Sequence, residues 1–439
     1  MTAFAVSSRR AAGTVGLLGL GALVTLLLTL ALWASEPPGK LVVAAGVGLT
    51  VVTVLALWNE NAAVFVAATL LAVVRVEPAP TDAVFLVVIA LAAASGRLAP
   101  LRAPTPVVVF VGSYLTLNVL AATQAVQFSH AIKFSFTTFY LAALGFWLTG
   151  WLTSRDKVRV LVKGYLAACA LSAFLGVGAL YGPLPGRSTL VYADTRALAL
   201  FKDPNVLGSF LAVGALILAE ELLRPSLLRI RTKWKALLFL LVTLGVVFSY
   251  SRAAWGSLVL GLLVIAGVYA LRRGGGRHAL MLVGAMAFAG VVTLGVLSAT
   301  GQLGFLQQRA QAQGYDSQRF GAQDFAIKLA EHHPFGVGPG QFEAYSVVSV
   351  HETYLRALAE LGVLGLVLVA ALLLTTLAYA VRNAVRGIDS FGLGSATLLA
   401  TWVGLVASGF VIDTLHWRHL WVVAALVWVG ATRSARSAT

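Results

Sequence analysis

His351 and Glu352 stand side by side at the end of the only long polar stretch in this chain, which runs from Gly301 to Glu360 and meets an apolar segment after Leu361. A neutral imidazole can act as a general base, so a histidine at the mouth of a membrane helix is the first candidate for chemistry. Arg196, Lys202 and Arg252 occur at or just beyond the outer ends of other apolar runs. An arginine at a membrane edge needs a partner, and its planar fork suits phosphate oxygens. Several cations on the same side as a histidine point to an anionic lipid head group as ligand.

The local pattern carries structural readings as well. Ser349-Val350-His351-Glu352 fits a capping box, with Ser349 as N-cap and Glu352 at the third helical position. A helix starting there would put His351 in its first turn, where the positive end of the helix dipole disfavours imidazolium. Glu352 is then either a cap or a chemical group, and His351 is either a base or a surface histidine bonded to a loop. His351 would stand roughly 15 Å above Leu361 along a helix, at the outer interface. Arg356 and Glu360 are spaced as a helical pair, which on its own predicts a solvated face.

Phe201-Lys202-Asp203-Pro204-Asn205-Val206-Leu207-Gly208 reads as a helix start, with Asp203 or Asn205 as cap. Lys202 beside that helix end would extend an anion-binding surface. Arg252 follows Ser249-Tyr250-Ser251 at a break between two apolar runs, where Asp194, Asp203 and Asp413 compete with a ligand for it.

These side chains must be positioned by a membrane scaffold. Of 439 residues, 59% are hydrophobic and 11% charged, which excludes a soluble globule. Apolar runs of membrane length lie near 14–34, 40–58, 62–76, 82–95, 106–125, 135–152, 158–181, 205–223, 235–250, 253–271, 278–299, 361–381, 391–412 and 418–432. The expectation is an all-α polytopic membrane protein of 12 to 14 spans, forming a single transmembrane domain over 1–439 with both termini cytoplasmic. The first run follows Arg9 and Arg10 and reads as an anchor and not a removed leader. The net charge of +15 gathers in the inner loops, so it reports topology and not nucleic-acid binding. Cys169 is the only cysteine, which rules out an intramolecular disulfide and a thiolate metal site.

Two outer connections are long, 182–204 and about 300–355. Within the second, Gln318 to Leu329 has helical spacing with Phe320, Phe325 and Leu329 as facing positions, before His332-His333-Pro334 and the glycine-dense run 336–340 break it. That run is either a simple turn or a place where backbone approaches a ligand.

Three segments together resemble the O-antigen ligase and polymerase superfamily: residues 201–208, the Ser-x-Ser-Arg run 249–252, and His351-Glu352 followed after nine residues by Gly362-Val363-Leu364-Gly365. Glu352 departs from the family pattern, which has an amide or serine there. The resemblance covers roughly 190–430. It implies a GT-C-like membrane glycosyltransferase that transfers a glycan from undecaprenyl pyrophosphate to an acceptor hydroxyl, with inversion and without a metal or other cofactor. The acceptor would be lipid A-core for a ligase or another lipid-linked glycan for a polymerase. Within it His351 and Glu352 are the catalytic candidates. Arg196, Arg252 and Lys202 are the pyrophosphate contacts, and Asn205, Arg319 and Arg356 give support. The implied location is the bacterial inner membrane, with the site on the periplasmic face. From another class, a transporter or flippase of lipid-linked sugars would share the hydrophobicity and cations, but would show broken helices near the midplane and related halves.

Overall fold

The structure, a computed structural model, describes residues 38–75, 79–193, 195–272, 274–299, 301, 303–311 and 314–436. The apolar run near 14–34, Arg9, Arg10, Asp194 and Arg273 lie outside them. Each expected apolar run from 40 onward is a helix, as alternation of long oily stretches with short polar breaks requires. Seven of the described helices are long and apolar enough to cross a membrane, and several shorter apolar helices accompany them. The chain is an all-α membrane protein.

It forms two compact units, Met1–Ala99 with Val160–Ala168, and Pro100–Arg159 with Cys169–Thr439. In the first, Asn59 caps Glu60–Thr69 by accepting from the Ala62 amide, and Thr81 donates to the Ala67 carbonyl at 2.8 Å. The second holds all the residues singled out above that are described. Its centre is Pro204–Leu223, packed against Thr232–Phe248 and Arg252–Leu271, the latter in turn against Ser395–Ser408. At the end of Pro204–Leu223 away from Asp203, Glu221 accepts from Lys235 Nζ at 2.7 Å, both side chains being buried. Lys235, in the first turn of Thr232–Phe248, is therefore an internal strut.

The polar connections are structured. The 182–204 connection contains a short helix, Arg187–Leu190, and a two-residue antiparallel pairing of Val191–Tyr192 with Arg196–Ala197, the one two-stranded sheet among the described residues. Beyond residue 300 come Leu303–Ala310, Gly314–His332 and Phe342–Tyr345. Phe325 and Leu329 face a small core with Ala326, Val337, Phe342, Val350 and Ala359, as their spacing predicts. Phe320 does not, being largely exposed.

The glycine run 336–340 is buried and clamps backbone to backbone. Val337 N and Gly338 N donate to the carbonyls of Ala359 and Glu360 at 3.1 and 2.9 Å. The long helix Thr353–Arg386 is broken at Gly362, whose φ of 71° and ψ of −171° lie outside the helical range. A Cβ at Gly362 would overlap the Pro334 carbonyl, and one at Gly336 would overlap that of Glu360. The ligand-approach reading of this run is thus corrected: the glycines let two stretches of protein backbone touch.

Candidate active site

The loop before Pro204–Leu223 builds one wall of the site. Pairing of Tyr192 with Arg196 across the short ribbon brings the guanidinium over the tyrosine ring, 5.9 Å from its centroid. Arg196 is 9% exposed, and two contacts aim it. Its Nε donates to the Ser249 carbonyl at 2.8 Å and one terminal nitrogen to Asn205 Oδ1 at 3.0 Å. Asp203 is the N-cap of the following helix and accepts from the Asn205 amide at 2.7 Å, with Pro204 at the first helical position. The cap expected from sequence is therefore Asp203, and Asn205 serves Arg196 instead.

These residues face a cavity of about 600 Å³. Arg196, Lys202, Asp203 and Asn205 line it on one side. Gln308 from Leu303–Ala310, and Gln318 and Arg319 from Gly314–His332, line it on another, with Tyr192, Phe305, Val348 and His351 completing the wall. Arg319 is held by a bond to the Val411 carbonyl at 3.1 Å. Five sequence candidates are thus brought to one cavity: Arg196, Lys202, Asn205, Arg319 and His351. The amides of Gln308 and Gln318 and the rings of Tyr192 and Phe305 carried no distinguishing sequence signal beyond their place in the two long connections.

Three candidates are not brought to that lining. Arg252 donates to the Gln311 carbonyl at 3.2 Å, just past the helix that carries Phe305 and Gln308. Ser251 is the N-cap of Arg252–Leu271. Glu352 is the N-cap of Thr353–Arg386, accepting from the Leu355 amide at 3.2 Å. Arg356 is 9% exposed and sits inside the protein, where its nitrogens meet Glu343, Glu360 and Asp413. The solvated face expected for Arg356 and Glu360 is overturned, because a carboxylate cluster closes around the arginine. Their pairing itself holds, at 3.1 Å.

The capping box is also corrected. Ser349 does not cap a helix: its hydroxyl donates to Glu343 Oε1 at 2.8 Å and accepts from Arg356. The helix starts later, at Thr353, so His351 precedes it by two residues, in a left-handed conformation with φ 45°. Its ring still favours the neutral form, for a different reason. Burial holds the imidazolium below the usual histidine range, and then the Arg319 charge does the same; Asp203 pulls the other way, Arg356 adds to the lowering and Glu343 opposes it. Burial likewise pushes the Glu352 carboxyl up to about 7, against the amide bonds it accepts.

A half-buried neutral imidazole facing cations across a cavity can accept a proton beside a bound anion. Among the described residues no group of three or more His, Cys, Asp or Glu side chains is arranged to hold a metal ion. No curated protein matches the chain. Residues 237–370, which contain the Ser-x-Ser-Arg run, His351 and the Gly362 break, match the family model described as O-antigen ligase, and this supports the resemblance to the O-antigen ligase and polymerase superfamily.

Proposed function

We propose that the chain is a glycosyltransferase that moves a glycan from undecaprenyl pyrophosphate to an acceptor hydroxyl at the outer face of the bacterial inner membrane, as an O-antigen ligase acting on lipid A-core. The observation that carries this reading is the single cavity lined by Arg196, Lys202 and Arg319 together with a histidine whose ring favours the neutral form.

In this reading His351 takes the proton of the acceptor hydroxyl. The acceptor oxygen attacks the anomeric carbon from the face opposite the pyrophosphate, the bond from that carbon to the phosphate oxygen breaks, and undecaprenyl pyrophosphate departs with the electron pair. Inversion follows from the single displacement. Arg196, steadied by Ser249 and Asn205, meets the growing negative charge, and Lys202 and Arg319 add to the field. No step is assigned to a metal. The amides of Gln308 and Gln318 and the faces of Tyr192 and Phe305 suit sugar hydroxyls and C–H surfaces. Glu352 keeps the role of helix cap, and Arg252 steadies the wall through Gln311.

Purified protein in nanodiscs, supplied with lipid-linked glycan and lipid A-core, is expected to form a new glycosidic bond, and His351→Ala to abolish it. Wild-type transfer by that variant would remove the central claim. A deletion strain that accumulates full-length polymer on the lipid carrier supports ligation. Accumulated single repeats would make the protein a polymerase, and movement of glycan across the bilayer without bond formation would make it a transporter.

A further inference from the structure

His351 holds its place on a segment with few supports of its own. Val347 on the same segment is fully exposed, the chain from Ser346 to Glu352 is neither helix nor strand, and His351 has left-handed backbone. Among the described residues two anchors stand out. Val350 is buried in the small core with Leu329, Phe342 and Ala359. The other anchor is polar, and it centres on Arg356.

Four pieces of chain meet at that guanidinium. One terminal nitrogen donates to Ser349 Oγ at 2.8 Å and to Glu343 Oε1, while Ser349 donates to the same glutamate. The other donates to Glu360 Oε1 at 3.1 Å. Nε lies 3.3 Å from Asp413 Oδ2, within ion-pair range but without the alignment of a hydrogen bond. Glu360 in turn accepts from the amides of Gly340 and Phe342, at 2.7 and 3.3 Å. Thr353 closes the circuit, its hydroxyl 3.1 Å from that of Thr414 and its amide on the Gly409 carbonyl. The guanidinium plane also lies over Phe134, 5.7 Å from the ring centroid.

We infer that Arg356 is a positioning residue, which fastens the segment 343–349 to the helix starting at Thr353 and so sets where His351 stands in the cavity wall. Only a planar fork reaches Ser349 and Glu343 on one nitrogen and Glu360 on another, and a lysine would supply the charge without that span. Three carboxylates around one cation also explain the burial, since any of them left unpaired would draw in water and loosen the segment. The inference rests on the reading of His351 as the base, because only then does its position govern the rate.

The test compares wild type, Arg356→Lys, Arg356→Ala and Ser349→Ala in nanodiscs, with Ser349→Ala keeping the test open if an arginine variant does not fold. Two readouts are taken: kcat and KM for glycan transfer, and the rate at which diethyl pyrocarbonate modifies His351, followed by mass spectrometry. Arg356→Lys is expected to lower kcat by about 100-fold with donor KM little changed, the loss that a displacement of about 1 Å produces. Ser349→Ala is expected to shift both kcat and His351 reactivity in the same direction by a smaller factor, without loss of folded protein. Methylguanidinium is expected to restore part of the Arg356→Ala rate. Wild-type kcat and His351 reactivity in both Arg356→Lys and Ser349→Ala would overturn the inference, as would a rate loss that only tracks the folded fraction. His351→Ala retaining transfer would instead defeat the functional reading, while the modification data would still report whether Arg356 holds His351.

Discussion

Arg196 and Ser249, 53 positions apart, are joined by a hydrogen bond of 2.8 Å from the arginine Nε to the serine backbone carbonyl. Ser249 ends the helix Thr232–Phe248, and Tyr250 turns the chain in a left-handed conformation with φ 49° before Ser251 caps the next helix. The Ser-x-Ser-Arg run thereby presents a carbonyl that aims the arginine of another segment. Its own arginine lies elsewhere, on Gln311.

This relationship separates the two arginines. Arg196→Lys should lower kcat/KM with lipid-linked donor by about 100-fold, as loss of an aimed donor to a developing charge does. Arg252→Lys should cost about fivefold or less, the value of one modest hydrogen bond. Steady-state kinetics on both variants decides it, and equal losses would put Arg252 on the pyrophosphate.

The pH dependence follows from His351. A base must be deprotonated, so kcat/KM should rise with pH through the histidine pKa and level off above it. Burial and Arg319 lower that pKa, so the acidic limb should lie below the usual histidine value of about 6.5. Arg319→Gln removes a cause of lowering and should move the limb toward higher pH. A rate profile showing no such movement would exclude His351 as the titrating group.

Glu352 gives the opposite kind of test. As helix N-cap its replacement by alanine should cost about 1 kcal/mol of stability while leaving kcat near wild type. Its carboxyl, raised to about 7 from an ordinary 4.5, binds its proton more tightly in the folded protein, so the corresponding stability is full at low pH and is lost as pH rises through about 7. Glu352→Gln lacks this titration. Melting temperatures at pH 5 and pH 8 should therefore show the Gln variant gaining on wild type at the higher pH.

Gly362→Ala tests the clamp. A side chain there meets both a left-handed φ and the Pro334 carbonyl, so the variant should lose at least about 1–3 kcal/mol and yield less folded protein. Thermal unfolding in detergent measures it. An unchanged melting temperature would mean that the break at Gly362 is not held as described.

Much of the fold was legible because a bilayer imposes one solution on long apolar runs, and each run from 40 onward lies in a helix, although Phe128–Trp151 and Thr353–Arg386 begin well before the runs expected near 135–152 and 361–381. Chemistry-bearing types were legible too: Arg196, Lys202, Asn205, Arg319 and His351 all reach one cavity. The helix start near His351 was misplaced because Ser349 satisfied the capping pattern locally. In the folded chain Glu343 and Arg356 claim its hydroxyl, leaving Glu352 to cap. Gln308 and Gln318 were not legible, since a glutamine on a polar helix looks the same whether it faces solvent or a cavity.

Composition and charge placement by themselves determined a polytopic helical membrane protein, and three short motifs by themselves pointed to a glycan-transfer family, because hydropathy and residue type are local properties. Partnership is not local. Tertiary structure alone decided that Arg196 rather than Arg252 lines the cavity, that Arg356 is enclosed by three carboxylates, and that Gly336 and Gly362 let the backbone at Glu360 and at Pro334 come close. The reason is physical: a buried charge or donor takes whichever acceptor the packing brings within about 3 Å, and residues far apart in the chain supply it.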